Sequence, residues 1–174
     1  MGYVDSYYWR LRQKVGDQRL ITATVDVLPV RSDGKIKIVF EKCQNYWSTV
    51  GGHVELGDSW SSAAIHELKE EAGIIANEDD LELFATVSGS GRIYEYPDGT
   101  TQPFSNCYVI KKWLSEGELT DDEEIEQGKW ISIEEAKKLS NLDTSALRII
   151  KSYEKYLKTG RVQVIEELKD RRIK

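Results

Sequence analysis

The segment 51–74 constrains the fold more than any other part of the 174-residue chain. A glycine-bearing loop, 51–57, leads into Asp58 and Ser59, either of which can cap a helix, and Gly73 closes the run. Between these signals, apolar residues recur at every fourth position, at Trp60, Ala64, Leu68 and Ala72. The pattern predicts a helix of about four turns whose apolar face packs on a sheet.

Strand patterns lie on both sides of this helix. Residues 20–30 are mostly β-branched and apolar, the turn residues Ser32, Asp33 and Gly34 follow, and 35–40 alternates, so we predict a hairpin there. Further strands are predicted at about 81–87, 92–96, 104–113 and 129–131. A capping box that begins at Ser132 predicts a short helix. Strands interspersed with helices predict an α/β sandwich.

The chain shows no internal repeat and no linker rich in proline, glycine or serine. We therefore expect a single domain over 1–174, with an N-terminal helical extension at about 3–15 and C-terminal helices at about 144–174. The first of these C-terminal helices should run from about 144 to 157.

Charge and hydropathy limit the partners. The net charge of −6 disfavours nucleic acid, whose phosphates need clustered Lys and Arg. No apolar run is long enough for a membrane span, and the N-terminus has no signal-peptide core, so we expect a cytoplasmic protein without a membrane partner. An anionic small molecule would bind through a cation.

Three glutamates at the end of the predicted helix break local rules. Glu67, Glu70 and Glu71 stand at i, i+3 and i+4, where like charges repel by about 0.2–0.5 kcal/mol per pair. Glu70 and Glu71 also lie in the last turn, where the helix dipole is negative. Clustered carboxylates suit a hard cation such as Mg²⁺ or Mn²⁺, which removes the repulsion. The segment therefore predicts a functional site.

The sequence GHVELGDSWSSAAIHELKEEAGI, residues 52–74, resembles the Nudix box, whose pattern is G-x5-E-x7-R-E-U-x-E-E-x-G-U with U a bulky aliphatic residue. The spacing is kept throughout. Two residues depart: Asp58 stands for Glu and His66 for Arg. Outside the box, Trp47 precedes the double glycine, and the acidic segment 123–136 leads through a Trp into a short helix, as in many members. The resemblance implies a Nudix-type α/β/α sandwich with a mixed β-sheet.

The resemblance also implies a Mg²⁺ or Mn²⁺ site. Glu67 and Glu71 match the principal metal-binding carboxylates of the family, Glu70 is a third, and the backbone carbonyl of Gly52 is a frequent ligand. Gly73 matches the glycine that ends the box.

The general base varies within the family. In some members it is a box glutamate, which makes Glu67 and Glu70 catalytic candidates here. In others it is a glutamate on a later loop, for which Glu124 is the candidate because it stands six residues before Trp130. Glu123 and Glu126 remain alternatives to Glu124.

The two departures affect the support of the box rather than its ligands. In the family the box Arg pairs with carboxylates and orients them. His66 is shorter and is mostly neutral at pH 7 unless an acid raises its pKa. Asp58 is also shorter, and the two family positions pair with each other, so a His–Asp contact is expected with weakened activity.

Substrate-binding residues are not assigned from the sequence. His53 directly follows the double glycine but, as a single loop histidine, is expected to face solvent. The aromatic residues of the predicted strands are expected in the core rather than on a base: Trp47, Tyr94, Tyr96 and Tyr108.

The resemblance implies divalent-metal-dependent hydrolysis of a diphosphate bond in a nucleoside diphosphate derivative or nucleoside triphosphate. One alternative is a weakened domain that senses a nucleotide without turnover. Another is an isoprenoid-diphosphate isomerase, which needs catalytic residues that the sequence does not reveal. Retention of Glu67, Glu70 and Glu71 favours hydrolysis over sensing. Family members are often homodimers, so the monomer and the homodimer both stay open.

Overall fold

The computed structural model describes residues 5–119 and 124–168. The helices are α1 (Tyr7–Val15), α2 (Trp60–Ala72), α3 (Ile133–Ala136) and α4 (Thr144–Thr159). The strands are β1 (Leu20–Pro29), β2 (Ile36–Glu41), β3 (Tyr46–Ser48), β4 (Val50–His53), β5 (Ile74–Ile75), β6 (Leu81–Ser88), β7 (Tyr94–Tyr96), β8 (Gly99–Ile110), β9 (Ser115–Glu116), β10 (Ile125–Ile131) and β11 (Gln163–Glu166). No helix within the described ranges is long and apolar enough to cross a bilayer.

The main sheet has six strands and is mixed. Its order is β11-β6-β8-β1-β4, and β7 pairs with β8. β1 runs parallel to β8 over its whole length, from Leu20 opposite Thr101 to Pro29 opposite Ile110. On its other edge β1 is antiparallel to β4, with Asp26 opposite Gly51. A three-stranded sheet, β10-β2-β3, and a two-stranded sheet, β5-β9, complete the fold.

Alternating residues of β1 enter two separate cores. Leu28 belongs to a first core cluster, which includes Phe84 from β6 and Ile150 from α4. Val25 and Val27 belong to a second core cluster, which includes several residues of α2. Side chains alternate across a strand, so the central strand carries helices on both faces. The expected α/β/α sandwich with a mixed sheet is confirmed.

Helix α2 matches its predicted limits, and one predicted contact is wrong. Its buried residues are Ala63, Ala64, Leu68, Glu71 and Ala72. Trp60, assigned to the apolar face from its spacing, is exposed instead. Trp60 is the first residue of the helix, and Ala63, nearly one turn later, is buried in its place.

The hairpin predicted for 20–40 is wrong in its pairing. The strands and the turn form, but only the single bridge between Val30 and Ile36 joins the two segments. β1 is instead flanked by β8 and β4, while β2 pairs with β10 and β3. The six consecutive residues that end β1 are all buried, so this strand needs neighbours on both edges and covers on both faces.

The C-terminal region is helical only in part. The helix predicted from about 144 is α4, which ends at the left-handed Gly160. The helices predicted to about 174 are wrong at Gln163–Glu166, which form strand β11 parallel to β6, with Gln163 opposite Ala85. These residues form a strand because β6 offers them backbone hydrogen bonds at the edge of the main sheet. In addition, Ile165 packs on the first core cluster. Residues 169–174 lie outside the described part of the chain.

Arg12 joins helix α1 to strand β8 of the main sheet. The guanidinium is buried and donates to the carbonyl oxygens of Gly16, Gln18 and Thr100 at 2.8, 2.5 and 3.0 Å. The predicted extension at about 3–15 therefore contains a real helix, at Tyr7–Val15, and residues 1–4 lie outside the described range.

Candidate active site

Caps at both ends fix the position of α2. Ser59 is the N-cap: its side chain accepts a hydrogen bond from Ser62 N–H, while Asp58 accepts one from the Ser62 hydroxyl at 3.1 Å. Gly73 ends the helix with a φ of 65°, and a Cβ there would lie 2.5 Å from the carbonyl oxygen of Gly117. Only glycine satisfies both conditions, since other residues rarely adopt this conformation.

Glu71 points from α2 to the backbone of β4. It is buried, and its Oε2 accepts a hydrogen bond from Gly51 N–H at 2.8 Å. Burial raises the pKa of Glu71 well above its usual value, and the nearby charges of Glu67 and Glu41 raise it further, against the effect of the Gly51 hydrogen bond. A cation placed here would favour the ionised carboxylate.

Glu67 lies against Gly52. A Cβ built on Gly52 would be 2.3 Å from Oε1 of Glu67, so the carboxylate occupies the space that a side chain would fill. At Gly51 the same construction places a Cβ 2.2 Å from the carbonyl oxygen of Val25. The double glycine thus lets β4 approach both β1 and the acidic face of α2.

Glu70 is half-buried, and it does not line the cavity that opens beside Glu71. Within residues 5–119 and 124–168, no group of three or more His, Cys, Asp and Glu side chains that could hold a metal ion is found. The donor set predicted from the sequence is nevertheless oxygen-rich and mutually repulsive, as shown by the effect of Glu67 on the pKa of Glu71. That chemistry fits a divalent hard cation.

A cavity of about 630 Å³ opens beside Gly51, Gly52 and Glu71. Its walls come from β1, β4, the ends of β2 and β10, and the β7–β8 hairpin. The lining residues include Asp26, Glu41, Tyr46, Gly51, Gly52, His53, Glu71, Arg92, Tyr94, Tyr96 and Glu124. This volume is typical of small-molecule sites.

The structure brings Glu124 into the cavity wall together with Glu41. The carbonyl oxygen of Glu124 accepts a hydrogen bond from Lys42 N–H at 2.9 Å, which joins the start of β10 to the end of β2. Burial raises the pKa of Glu41 to about 7, and the charges of Asp143 and Glu124 contribute. Of the two alternatives to Glu124, Glu126 is exposed and does not line the cavity, and Glu123 lies outside the described residues.

Asp58 and His66 are close together on the solvent side of α2. His66 Nδ1 lies 3.5 Å from Asp58 Oδ2, and 61% of the His66 side chain is exposed, against 19% for Asp58. The contact expected between the two departures is therefore present. It lies on a different face of the helix from buried Glu71.

A buried polar network next to the cavity was missed from the sequence. Asp26, on β1, accepts hydrogen bonds from Thr49 Oγ1 at 2.9 Å, Ser105 Oγ at 2.5 Å and Arg92 Nη2 at 3.1 Å. Burial lowers the pKa of Arg92, but the charge of Asp26, the neighbouring Tyr94 and Cys107 and the hydrogen bond to Asp26 together outweigh burial and raise it. An acid within an apolar strand was the available signal for Asp26. The turn before β7 gave no signal for Arg92, and Glu41 could be noticed only as a charge that ends an apolar strand.

His53 and the aromatic residues divide differently from the sequence expectation. His53 is half-buried and stacks on Tyr8 of α1, with ring centroids 4.6 Å apart, so it does not simply face solvent. Burial lowers the pKa of His53 to about 4. Trp47 is in the first core cluster, as expected. Tyr94 and Tyr96 line the cavity, whereas Tyr108 packs on the second core cluster.

Three solved structures illustrate the similarity of fold. The NUDIX domain of NrtR from Shewanella oneidensis, in complex with ADP ribose, is 18% identical, with a TM-score of 0.64 over 83% of this chain and 92% of that one. The MutT protein of Methanosarcina mazei Go1 is 15% identical, with a TM-score of 0.62 over 82% and 99%. An Ap4A hydrolase of C. elegans, in a binary complex, is 20% identical, with a TM-score of 0.54 over 79% and 98%.

Identities this low show a shared fold and no more. No curated protein that was compared with this chain matches it. The sequence itself matches the family model described as NUDIX domain over residues 20–153, a range that contains the box, the double glycine and Glu124. That match covers most of the chain, and it shows that the protein belongs to the Nudix hydrolase family.

Proposed function

We propose that this enzyme hydrolyses a diphosphate bond in a nucleoside diphosphate derivative or a nucleoside triphosphate, with Mg²⁺ or Mn²⁺ bound at the acidic end of α2. The observation that carries the proposal is buried Glu71, which lines a ligand-sized cavity and is hydrogen-bonded to the backbone of the double glycine. A buried carboxylate among other carboxylates is unfavourable unless a cation accompanies it.

Glu67 and Glu71 are the proposed principal ligands, with Glu70 and the carbonyl oxygen of Gly52 as further ones. Support comes from Glu67, which lies against Gly52, and from Glu71, which reaches Gly51. When bound, a divalent ion polarises phosphoryl oxygens and lowers the pKa of a coordinated water. Carboxylates in fixed positions would thus hold the attacking water and the phosphoryl group in the right relative orientation. Such positioning is most of what phosphoryl transfer requires.

Glu124 is the proposed general base. It shares the cavity wall with Glu41 and Glu71, and its negative charge contributes to the raised pKa values of both. A carboxylate in this position can accept a proton from the attacking water. Glu67 and Glu70 are the competing candidates, as box glutamates serve this role in other family members.

The size and composition of the cavity support the proposed substrate class. Its volume of about 630 Å³ holds a nucleotide-sized ligand, and the rings of Tyr94 and Tyr96 form part of the wall. ADP-ribose and Ap4A deserve a place among the test compounds, since a similar domain was crystallised with ADP ribose and another similar protein is an Ap4A hydrolase.

The test is a panel of nucleoside di- and triphosphates, ADP-ribose, NAD and dinucleoside polyphosphates, assayed with Mg²⁺ and Mn²⁺. The expected result is metal-dependent turnover of at least one compound, lost in the variant Glu71→Gln. The variant Glu124→Gln should lower kcat with little change in KM if Glu124 is the base. If a panel compound binds tightly but is not turned over, nucleotide sensing becomes the better proposal and hydrolysis is dropped.

A further inference from the structure

The cavity wall is strongly acidic for a site that takes an anionic substrate. Several carboxylates of the described residues line it: Asp26, Glu41, Glu71, Glu95, Asp98 and Glu124. Among the lining residues that the structure describes, Arg92 is the only Lys or Arg. A metal ion at Glu67 and Glu71 can compensate one part of a bound diphosphate. The rest of its charge needs a second positive group.

Arg92 has hydrogen-bonding capacity that the protein does not use. Its side chain is only 5% exposed, and Nη2 donates to Asp26. Nε and Nη1 are buried and have no hydrogen-bond partner among residues 5–119 and 124–168. Buried donors are nearly always paired, because an unpaired one costs about 1–3 kcal/mol. Two such donors on one residue of a cavity wall make Arg92 a candidate for pairing with a bound ligand.

Asp26 holds Arg92 in place without using these free groups. Thr49 donates to Oδ1 of Asp26, and Ser105 and Arg92 donate to Oδ2, so both carboxylate oxygens are fixed. Asp26 lies on the central strand β1, and Thr49 directly precedes the neighbouring edge strand β4, so the sheet fixes the carboxylate that holds Arg92. Such support is what a precise binding residue needs.

The Asp26–Arg92 pair adjoins the acidic end of the cavity. Asp26 on β1 stands opposite Gly51 on β4, and Gly51 N–H is the group that binds Glu71. Glu71 and Arg92 line the same cavity of about 630 Å³, so one diphosphate-containing ligand in that cavity can meet both groups.

We propose that Arg92 is a substrate-binding residue, whose free guanidinium N–H groups donate to non-bridging phosphate oxygens of the substrate, with Asp26 as its positioning residue. Guanidinium groups match phosphate in charge and in the direction of their donors, and such charge-assisted bonds are strong. This inference rests on the proposed function for the identity of the ligand as a diphosphate.

A purely structural role predicts a different outcome. If Arg92 only neutralises Asp26, then removing both charges restores whatever was lost. If Arg92 binds phosphate, removing both charges restores the fold but not the binding. The variants Arg92→Met and Asp26→Asn/Arg92→Met separate the two roles, and Arg92→Lys keeps the charge without the planar fork of donors.

The experiment is calorimetric titration of inorganic pyrophosphate with Mg²⁺ into the wild type and these variants, alongside their melting temperatures. Arg92→Met should weaken pyrophosphate binding about tenfold to a hundredfold and should lower the melting temperature, because buried Asp26 loses its positively charged partner. The double variant should regain the melting temperature but not the affinity. Arg92→Lys should fold normally and bind more weakly than the wild type.

Arg31→Met is the matched control, because Arg31 also pairs with an aspartate, Asp33 at 2.9 Å, but its side chain is 37% exposed and it lies outside the cavity wall. It should leave the affinity unchanged. An unchanged affinity in Arg92→Met or Arg92→Lys would overturn the inference, as would recovery of binding in the double variant.

Kinetics on a substrate from the panel distinguish this inference from the proposed function. KM should rise about tenfold or more in Arg92→Met with a smaller change in kcat, as expected for a contact made throughout the reaction. If the wild type turns over a compound and Arg92→Met has the same KM, the inference about Arg92 is wrong but the proposed hydrolysis stands. If pyrophosphate binding depends on Arg92 but no compound is turned over, the proposed hydrolysis is wrong but the inference about Arg92 stands. Failure of the wild type to bind pyrophosphate would overturn the inference directly.

Discussion

The cavity side and the solvent side of α2 differ in how far their charged side chains are buried. On the cavity side, Glu71 is buried, bound to Gly51 and close enough to Glu67 for the two charges to affect each other. On the solvent side, Asp58 and His66 meet at 3.5 Å with the histidine largely exposed. Both departures from the family pattern lie on the solvent side. Water reaches His66 and screens its charge, so a changed pair has a small effect, whereas a changed charge at buried Glu71 has a large one.

The substitution Glu71→Gln tests the cavity side most directly. We expect activity to fall at least about a hundredfold, in line with roughly 3 kcal/mol of transition-state stabilisation, because the metal loses a charged ligand. The melting temperature should not fall, since Gln can still accept the Gly51 hydrogen bond and avoids a buried charge. Steady-state kinetics on the purified variant measure this. The exposed Glu78→Gln serves as control, and an unchanged rate in Glu71→Gln would remove Glu71 from the mechanism.

Metal binding should stabilise the folded protein, and this effect should depend on residues of the cavity side of α2. A ligand that binds only the folded state adds about 2.7 kcal/mol at a hundred times its Kd, so Mg²⁺ or Mn²⁺ should raise the melting temperature by several degrees. Thermal denaturation with and without metal measures the shift, which should be reduced in Glu71→Gln and retained in His66→Ala. If neither metal moves the melting temperature at saturating concentration, the acidic cluster is not a metal site.

The double glycine offers a smaller and more local perturbation. Gly52→Ala introduces a Cβ that meets the flexible carboxylate of Glu67, so we expect about a tenfold fall in kcat/KM with little change in melting temperature. Gly51→Ala is the contrasting variant, because its Cβ meets the backbone oxygen of Val25 and should destabilise the fold. Full activity in a folded Gly52→Ala protein would show that the position of Glu67 does not matter.

The solvent side should give the smallest effect. His66→Arg alone places a longer side chain against the shorter Asp58, and we expect little gain from it. The combination His66→Arg with Asp58→Glu should raise kcat/KM above either single change, with a coupling energy near the lower limit of about 0.5 kcal/mol for residues in contact, because His66 is largely exposed.

A double-mutant cycle at fixed pH and saturating metal measures that coupling. Additive effects would show that the two positions act independently, despite their proximity. A coupling as large as the loss in Glu71→Gln would reverse the comparison between the two sides of the helix.

Local chemistry explains which parts of the fold were predictable. The limits of α2 follow from Ser59 and Gly73, and the capping box at Ser132 marks the start of α3. In both cases the deciding atoms lie within a few residues of one another, so the sequence contains the full cause.

Errors arose where a distant partner decides the structure. The turn at 32–34 is local and was correct, but β1 pairs with β8, whose residues follow some eighty positions later, and not with β2. Gln163–Glu166 became a strand because β6 was there to receive it. In the candidate site, the acidic residues of the box were visible by spacing. Arg92 was not, because its significance depends on Asp26 and on a cavity that forms only in the folded chain.

The long parallel pairing of β1 with β8 also affects how the protein reaches its native state. Ten residues of β1 have partners in β8, and β11 likewise joins β6 in parallel, so the main sheet depends on contacts between remote parts of the chain. Such topologies fold slowly, because loop closure must precede the contacts that reward it. Pulsed hydrogen exchange during refolding should protect the amides of β1 and β8 together and after those of α4; early protection of β1 alone would contradict this order. During synthesis, the apolar strand Leu20–Pro29 has to wait for some eighty more residues to emerge before its parallel neighbour exists, and this interval is when the chain is most exposed to aggregation.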